Sequence, residues 1–457
     1  MKEFTDHDIE RIEELIDNGS ETEARTELND LHPADIAELF QSLDLRQAEW
    51  AFNLIEDPEK KADVLMELDE EDRRKLLEGM DSREIGQFID LLDTDDAVDL
   101  IQELDKEERD EVIQHIDDVE QAGNIVDLLK YDEDTAGGLM GTEMIVVNEN
   151  LSMPDCISEM RRQAEEMDEI YYIYVVDNDS RLQGILPLKK MLTHPSVSKI
   201  KHVMDIDPVS LHTDTPIDEV AIDFEKYDLV AMPVVDDIGR LVGQVTVDDV
   251  MDEVREASER DYQMAAGISS DIDADDSIWA QTKARLPWLL IGIIGGIVNS
   301  IILGGFEEQI ARVAALAIFT PLIGGTGGNV GVQASAIVVQ GLANGRLSLR
   351  DTGKQIGREF LISLVNAIVI SCVVAIYIFI VISQSKYAVM GAVASSLFVM
   401  VVFATVFGTF VPLMLERLKI DPARATGPFI QITNDIVGMC IYVGMSTWML
   451  HLFNVSF

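Results

Sequence analysis

Two hydrophobic rhythms divide this chain. From about residue 286 onward the apolar positions fuse into long runs, roughly 286–305, 311–342, 359–382, 388–415 and 427–452. A hydrocarbon core about 30 Å thick calls for about 20 apolar residues in a helix, and every run reaches that length. One such run can be a buried core helix; five in succession predict a five-helix α transmembrane domain over 281–457.

Upstream the rhythm is shorter. Leu43-Asp44, Leu68-Asp69, Leu92-Asp93 and Ile116-Asp117 recur at spacings of 25, 24 and 24, each at the end of an apolar-periodic stretch such as Ala37–Leu43 or Val64–Leu68. Helical repeats of that length stack into a solenoid, so residues 1–135 read as an acidic, all-α superhelical N domain. Residues 136–255 hold two similar strand-rich α/β units. One contains Tyr171–Asp177 and then Arg181–Ile185; the other contains Val230–Asp236 and then Arg240–Gln244. A charged connecting helix, starting near 250 and assigned to 256–280, leads to the first apolar run.

Charge sharpens the division. From Ser277 on there are eleven bases and seven acids, a net +4; the first 276 residues hold 76 acids and 24 bases, a net −52. A surface this negative repels nucleic acid and attracts divalent cations, although salt adaptation alone also produces acidic surfaces. If the residues before Leu286 lie inside, the inner loops carry Lys283, Arg285, Arg346, Arg350, Lys354, Arg358, Arg417, Lys419 and Arg424. The outer loops carry only Arg312 and Lys386. That bias places the N-terminal half in the cytoplasm and the C-terminus outside a cell (inner) membrane. Cys156, Cys372 and Cys440 show no metal-ligand or disulfide spacing, and residues 1–25 show no secretory pattern.

Candidate chemistry then sits in two of the runs. The second contains Pro321-Leu-Ile-Gly-Gly-Thr-Gly-Gly-Asn-Val-Gly-Val-Gln333, whose glycines predict either a helix break or a very close helix contact. Asn329 and Gln333, four apart, share a helix face. The fifth contains Gln431-Ile-Thr-Asn-Asp435. A carboxylate at a helix centre costs about 2.5–3.5 kcal/mol to insert, so Asp435 is a functional candidate that needs a proton or a cation. Thr433 and Asn434 add neutral oxygens. Oxygen ligands without His or Cys favour a hard cation, Mg²⁺ or Ca²⁺, and a lone carboxylate among amides suits a hydrated Mg²⁺.

PLIGGTGGNVGVQ at 321–333 followed by DPARATGPFIQITNDIVG at 421–438 resembles the MgtE family of bacterial magnesium channels. The resemblance implies a homodimer in the lipid bilayer, with a pore at the subunit interface lined by the second and fifth spans. It sets Asp435 at the ion-selecting aspartate, Asn329 in the pore-facing glycine motif and Asp421 at the acid opening the loop before the fifth span. The two α/β units resemble a tandem CBS pair, which implies an adenine-nucleotide site. Gly243-Gln-Val-Thr246-Val-Asp-Asp249 fits that family's Gly-x-x-Ser/Thr-x-x-Asp run, with Thr246 toward phosphate and Asp249 toward ribose; Tyr171 is a candidate to stack on adenine. In the first unit Pro187 and Lys190 break the pattern, so at most one such site per chain is expected.

The connecting segment carries Glu253, Glu256, Glu259 and Asp261, and the family implies that it plugs the inner mouth of the pore. Regulatory Mg²⁺ is expected at Asp95 and Asp99, beside Asp96, and at Glu253, Glu256 and Glu259. The combined expectation is a Mg²⁺ channel or transporter for uptake, closed by feedback from cytoplasmic Mg²⁺ and tuned by ATP. An antiporter coupled to Na⁺ or H⁺ is the alternative. No P-loop occurs, so neither ATP hydrolysis nor an enzyme activity is expected.

Overall fold

The computed structural model describes all residues except 1–4, 165–166, 168–169, 196–197, 270–271, 273–276, 307–312, 344–346, 348–351, 383–385, 423–426 and 454–457. Arg312, Arg346, Arg350 and Arg424, which entered the orientation argument, lie outside the described residues. The chain divides into two compact units, Met1–Glu253 and Val254–Phe457.

The first unit begins with α1 (Asp6–Asp17), α2 (Glu21–Asp30), α3 (Pro33–Phe40), α4 (Leu45–Leu54) and α5 (Pro58–Glu67). It continues with α6 (Glu70–Leu77), α7 (Ser82–Ile89), α8 (Thr94–Gln102), α9 (Lys106–Ile113) and α10 (Val119–Leu128). Helices this short are marginal alone and depend on stacking. Alternate helices supply it: α3 packs on α5, α5 on α7 and α7 on α9, while α2 packs on α4, α4 on α6 and α8 on α10. Ile36, Leu39, Leu65, Ile85, Ile89, Leu100 and Ile101 are buried between them.

The repeated aspartates have a local purpose. Asp44, Asp57, Asp69, Asp81, Asp93, Asp105 and Asp118 are the N-cap residues of α4 to α10. Asp44 and Asp81 complete capping boxes, with Gln47 and Glu84 respectively. A carboxylate there accepts from free backbone N–H groups and favours the positive end of the helix dipole. The Leu-Asp pairs therefore mark where the next helix starts as much as where one ends. Asp44, Asp57, Asp81 and Asp118 accept such bonds, whereas Asp69, Asp93 and Asp105 make no side-chain cap bond.

Two α/β modules follow. The first sheet is β1 (Ile145–Asn148), β2 (Ile173–Val176), β3 (Leu182–Leu186) and β4 (Asp205–Ile206), ordered β1-β2-β3-β4 with β1 and β2 parallel. The second is β5 (Leu211–His212), β6 (Ala231–Val235) and β7 (Leu241–Thr246), with β5 and β6 parallel and β6 and β7 antiparallel. Each has a register shift at the same point of its hairpin, at Val175/Val176 and Val234/Val235. Helices α11 (Met153–Gln163) and α12 (Leu188–Thr193) belong to the first module, and α13 (Ile217–Tyr227) belongs to the second. The hairpin turns join through an Arg181–Arg240 bridge, a pseudo-symmetric pairing of the two modules.

From β7 the chain runs directly into α14 (Val247–Ala266). The sequence predicted a connector continuing to residue 280, but α14 stops at Ala266. Gly267 follows at φ +85°, a left-handed conformation that terminates a helix and that side chains rarely adopt. A new helix then starts after Ser277, whose hydroxyl caps it.

Among the described residues of the second unit, five helices are long and apolar enough to cross a membrane. They are α15 (Ile278–Gly304), α16 (Ala314–Ala343), α17 (Thr352–Val381), α18 (Lys386–Arg417) and α19 (Gly427–Leu452), the first to fifth spans. The fourth span is the most enclosed and packs against the second, third and fifth. At the far end from the connector, the buried Tyr442 hydroxyl of α19 donates to the Leu316 carbonyl of α16 at 2.7 Å.

The capping assignment has a direct test. Asp81→Ala removes a capping box and lowers the stability of the solenoid by about 1 kcal/mol. Asp105→Ala, at an N-cap with no side-chain bond, costs about half of that or less. Urea midpoints for α7 and α9, read by hydrogen exchange on the full chain, give the comparison.

Candidate functional site

The glycine-rich second span stays helical throughout Ala314–Ala343, so of the two alternatives its glycines serve close contact rather than a break. A methyl group at Gly331 would overlap the Asn434 side-chain amide, and one at Gly408 of the fourth span would overlap the Gly331 carbonyl. Removing side chains here lets three spans touch nearly backbone to backbone. At Gly328 a methyl would stand 3.2 Å from Asp435 Oδ1 and 2.9 Å from Gln431 Cγ; at Gly324 it would stand 3.8 Å from the same oxygen. The Asp435 carboxylate thus lies over a groove cut by two glycines one turn apart. Its Oδ1 is buried and has no hydrogen-bond partner.

Asn329 and Gln333 are exposed on one stripe of α16 with Leu322, Gly325 and Ile337, while Ile323, Ala334 and Val338 on an adjoining face are buried. Thr433 is half-buried. Asn434 needs correction as a lining residue: it is wholly buried, turned into the seam at Gly331, and both its amide atoms lack partners. Helix phase relative to a neighbour decides this, and it cannot be read from one span's sequence. Gln431 was missed. It is exposed, one turn before Asp435 on the same face of α19, and the i, i+4 spacing was the available signal. Asp421 lies half-buried in the segment before α19.

In the first unit, α8 meets the segment ahead of β1. Thr94 Oγ1 accepts from the Thr142 N–H at 2.9 Å and contacts Glu143 Oε2 at 2.9 Å; Asn124 Nδ2 donates to Thr142 Oγ1 at 3.2 Å. Gly141 pairs through its backbone with Gln244 of β7, and Gln244 Nε2 donates to the Glu143 carbonyl at 2.6 Å. The buried Tyr174 hydroxyl closes the chain of bonds on Gln244 Oε1 at 3.0 Å. This staple brings carboxylates together. A methyl at Gly141 would lie 2.9 Å from Asp95 Oδ2 and 3.1 Å from Glu143 Oε2. Asp249, in the first turn of α14, faces the same group.

The electrostatics follow from that crowding. Burial first, then Asp249, Asp96, Glu143 and Asp93, holds the Asp95 carboxyl well above its ordinary range. Burial, then Asp249 and Asp99, pushes Asp96 up to about 7, against a lowering pull from Arg73. Asp99, whose side chain still reaches solvent, is raised as well, chiefly by desolvation, with Arg73 again opposing. Asp249 is raised by burial although the Thr246 hydroxyl donates to it. Among the described residues no three His, Cys, Asp or Glu side chains stand close enough to hold a metal ion as they are placed.

The structure thus unites Asp95 and Asp99 with Asp96, Glu143 and Asp249. Sequence reasoning passed over Glu143 and gave Asp249 to a nucleotide; the signal was only that both are acids, since their partners lie far away in the chain. Thr246 and Asp249 do share one turn, as the Gly-x-x-Thr-x-x-Asp run requires. Tyr171 is half-buried in the segment entering β2. Glu253 contributes to the field at Asp99. Glu256 is exposed and pairs with Arg260 at 3.7 Å, and Glu259 is exposed. At the other end of α14, a methyl at Gly427 would overlap the Ala265 carbonyl, so the helix end abuts the start of the fifth span.

Comparison with known proteins agrees with both halves. Residues 320–445 match a family described as a divalent cation transporter, MgtE; residues 31–134 match the MgtE intracellular N domain; residues 136–196 and 200–256 match CBS domains. The chain is 35% identical over 330 residues to the magnesium transporter MgtE of Thermus thermophilus, covering 71% of this chain and 72% of that protein. It is 33% identical over 324 residues to the protein of the same name from Bacillus subtilis, covering 71% of each. A crystal structure of the cytosolic domain of the Mg²⁺ channel MgtE in complex with ATP is similar at 32% identity and a TM-score of 0.50, over 53% of this chain and 98% of that one.

The raised acids carry a pH signature. In chelator-treated protein, a carboxyl titrating near 7 when docked and near 3.8 when free binds its proton more tightly in the docked form. Docking of α8 on residues 141–143 therefore strengthens as pH falls from about 8 toward about 4 and levels off below. Hydrogen exchange of residues 94–99 and 141–143, corrected for intrinsic rates, should slow over that window, and saturating Mg²⁺ at pH 8 should reproduce the slowing.

Proposed function

This chain belongs to the MgtE family of magnesium transporters, and on that premise we propose that it is a magnesium uptake channel closed by cytoplasmic Mg²⁺. The observation that carries the reading is Asp435, a carboxylate within an apolar span that has a buried oxygen without a hydrogen-bond partner, held over Gly324 and Gly328. A fixed charge there needs a mobile cation. The exposed amides of Asn329, Gln333 and Gln431 support a water-filled path beside it, because amides facing hydrocarbon are costly. Their exposure on one chain supports a homodimer whose copies face each other along the second and fifth spans, with Thr433 near the path and Asp421 at its approach. A hydrated Mg²⁺ is held there through water by oxygens alone.

We assign residues 1–135 to the N domain, 136–255 to the CBS pair and 281–457 to the pore domain, with the N-terminal parts in the cytoplasm and the C-terminus outside. Mg²⁺ bound among Asp95, Asp96, Asp99 and Asp249 relieves their repulsion and stabilises the docked form, aided by Glu253, Glu256 and Glu259 on α14. Such an ion shifts the equilibrium only by its tighter binding to that form. Helix α14 carries Asp249 at one end and Ala265 against Gly427 at the other, which is the route by which docking reaches the fifth span.

The test of the pore is Mg²⁺ flux into proteoliposomes under a membrane potential. Asp435→Ala should reduce uptake at least tenfold, while Glu259→Gln should leave uptake in place and weaken its inhibition by Mg²⁺ on the cytoplasmic side. Unchanged flux in Asp435→Ala would sink the pore assignment. Uptake that follows an opposing Na⁺ or H⁺ gradient instead of the potential would identify an exchanger.

The ATP complex of the related cytosolic domain supports a nucleotide site on the CBS pair here, with Thr246 toward phosphate, Asp249 toward ribose and Tyr171 toward the base. Thr246→Val should weaken ATP binding severalfold by calorimetry, and Thr246→Ser should retain it. Equal binding in both variants removes Thr246 from the site.

A further inference from the structure

The acidic face of α8 is a ladder. Asp95, Asp99 and Glu103 stand at i, i+4 and i+8, so their side chains follow one another along one face of the helix and its C-cap at about 6 Å per step. The two ends of the ladder differ. At the Asp95 end the neighbours are Asp93, Asp96, Glu143 and Asp249, all acids. At the Glu103 end stands Arg73 of α6. Its side chain is only 12% exposed and Glu103's is 10% exposed.

Arg73 is fixed from several sides. One guanidinium nitrogen donates to Glu103 Oε1, and Nη1 donates to the Met66 carbonyl at 3.2 Å. Its Nε and the second Glu103 oxygen are both buried without hydrogen-bond partners. The pair is therefore joined on one side only, where a forked contact would use both oxygens. The guanidinium keeps capacity toward a second carboxylate, and Asp99 is one turn away along the ladder. Arg74 also acts on Glu103, from the same helix as Arg73, with Glu70 opposing it.

We propose that Arg73 is a built-in counter-cation of the acidic wall, and that its sharing between Glu103 and Asp99 sets the Mg²⁺ concentration at which α8 docks on residues 141–143. The role rests on the reading of that wall as a Mg²⁺ sensor. Arg73 neutralises the Glu103 end, so a divalent cation is drawn to the Asp95–Asp249 end. Any change that moves positive charge toward Asp99 weakens the demand for Mg²⁺ binding there, and any change that removes it strengthens the demand. Arg73 is on this account a positioning residue, acting through the field it imposes on Asp99 and Asp96.

The experiment is a Mg²⁺ titration of the full-length protein at pH 8, with hydrogen exchange of residues 141–143 as the readout. Arg73→Met removes the charge and should lower the half-point at least threefold. Glu103→Gln releases Arg73 toward Asp99 and should raise it at least threefold. Arg73→Lys keeps the charge and should stay within twofold of the parent. A merely structural ion pair would move Arg73→Met and Glu103→Gln in the same direction, which overturns the role of Arg73. If Arg73→Met does not fold, Glu103→Gln decides alone: an unchanged or lowered half-point overturns the proposal. A parent protein indifferent to Mg²⁺ overturns the sensor reading and the proposal with it, and is distinguishable because no variant is needed to see it.

Discussion

Taking a carboxylate partly out of water is the constraint on which both halves of this protein turn. Water solvates a free carboxylate far better than a protein interior does, so a buried one demands a proton, a fixed cation or a mobile one. The first unit crowds several half-buried carboxylates together at the contact of α8 with residues 141–143 and Asp249. The second unit places Asp435 within an apolar span. Neither arrangement is comfortable alone, and on the proposed reading a divalent cation answers both.

The two sites handle the constraint differently because their surroundings differ. At Asp435 the nearest surfaces of the second span are the bare backbone of Gly324 and Gly328, which offer the carboxylate no side chain. At α8 the acids are gathered by neutral bonds among Thr94, Thr142, Gln244 and Tyr174, strong enough to hold the repelling groups near one another. Arg73 and Glu103 form a third arrangement, a buried pair that satisfies itself only in part. On the proposed reading, a fixed cation, a proton and a mobile cation compete for the same wall of charge.

Much of this was legible along the chain. Five spans follow from apolar run length alone, because a helix crossing a bilayer satisfies its backbone internally and needs no tertiary information to be recognised. Asp435 is legible for the same reason, since a carboxylate in such a run is conspicuous wherever the helix packs. The solenoid shows in its period. Asp44, Asp69 and Asp93, which punctuate it, are N-caps, a local signal that was read only as a repeat until the helix starts were in view.

What the sequence determined by itself was therefore everything set by local periodicity and composition: the membrane half, the helical repeats, the paired α/β modules and the presence of a carboxylate in the fifth span. Tertiary structure alone decided which way each side chain faces and what it meets. It made the glycines a seam instead of a break, turned Asn434 inward and Gln431 outward, and ended the connector at Gly267. It also joined Asp249 to Asp95 across more than 150 residues of chain. The reason is physical. Helix type is written in neighbours a few residues away, whereas burial and charge coupling depend on distances in space that close only when distant segments pack.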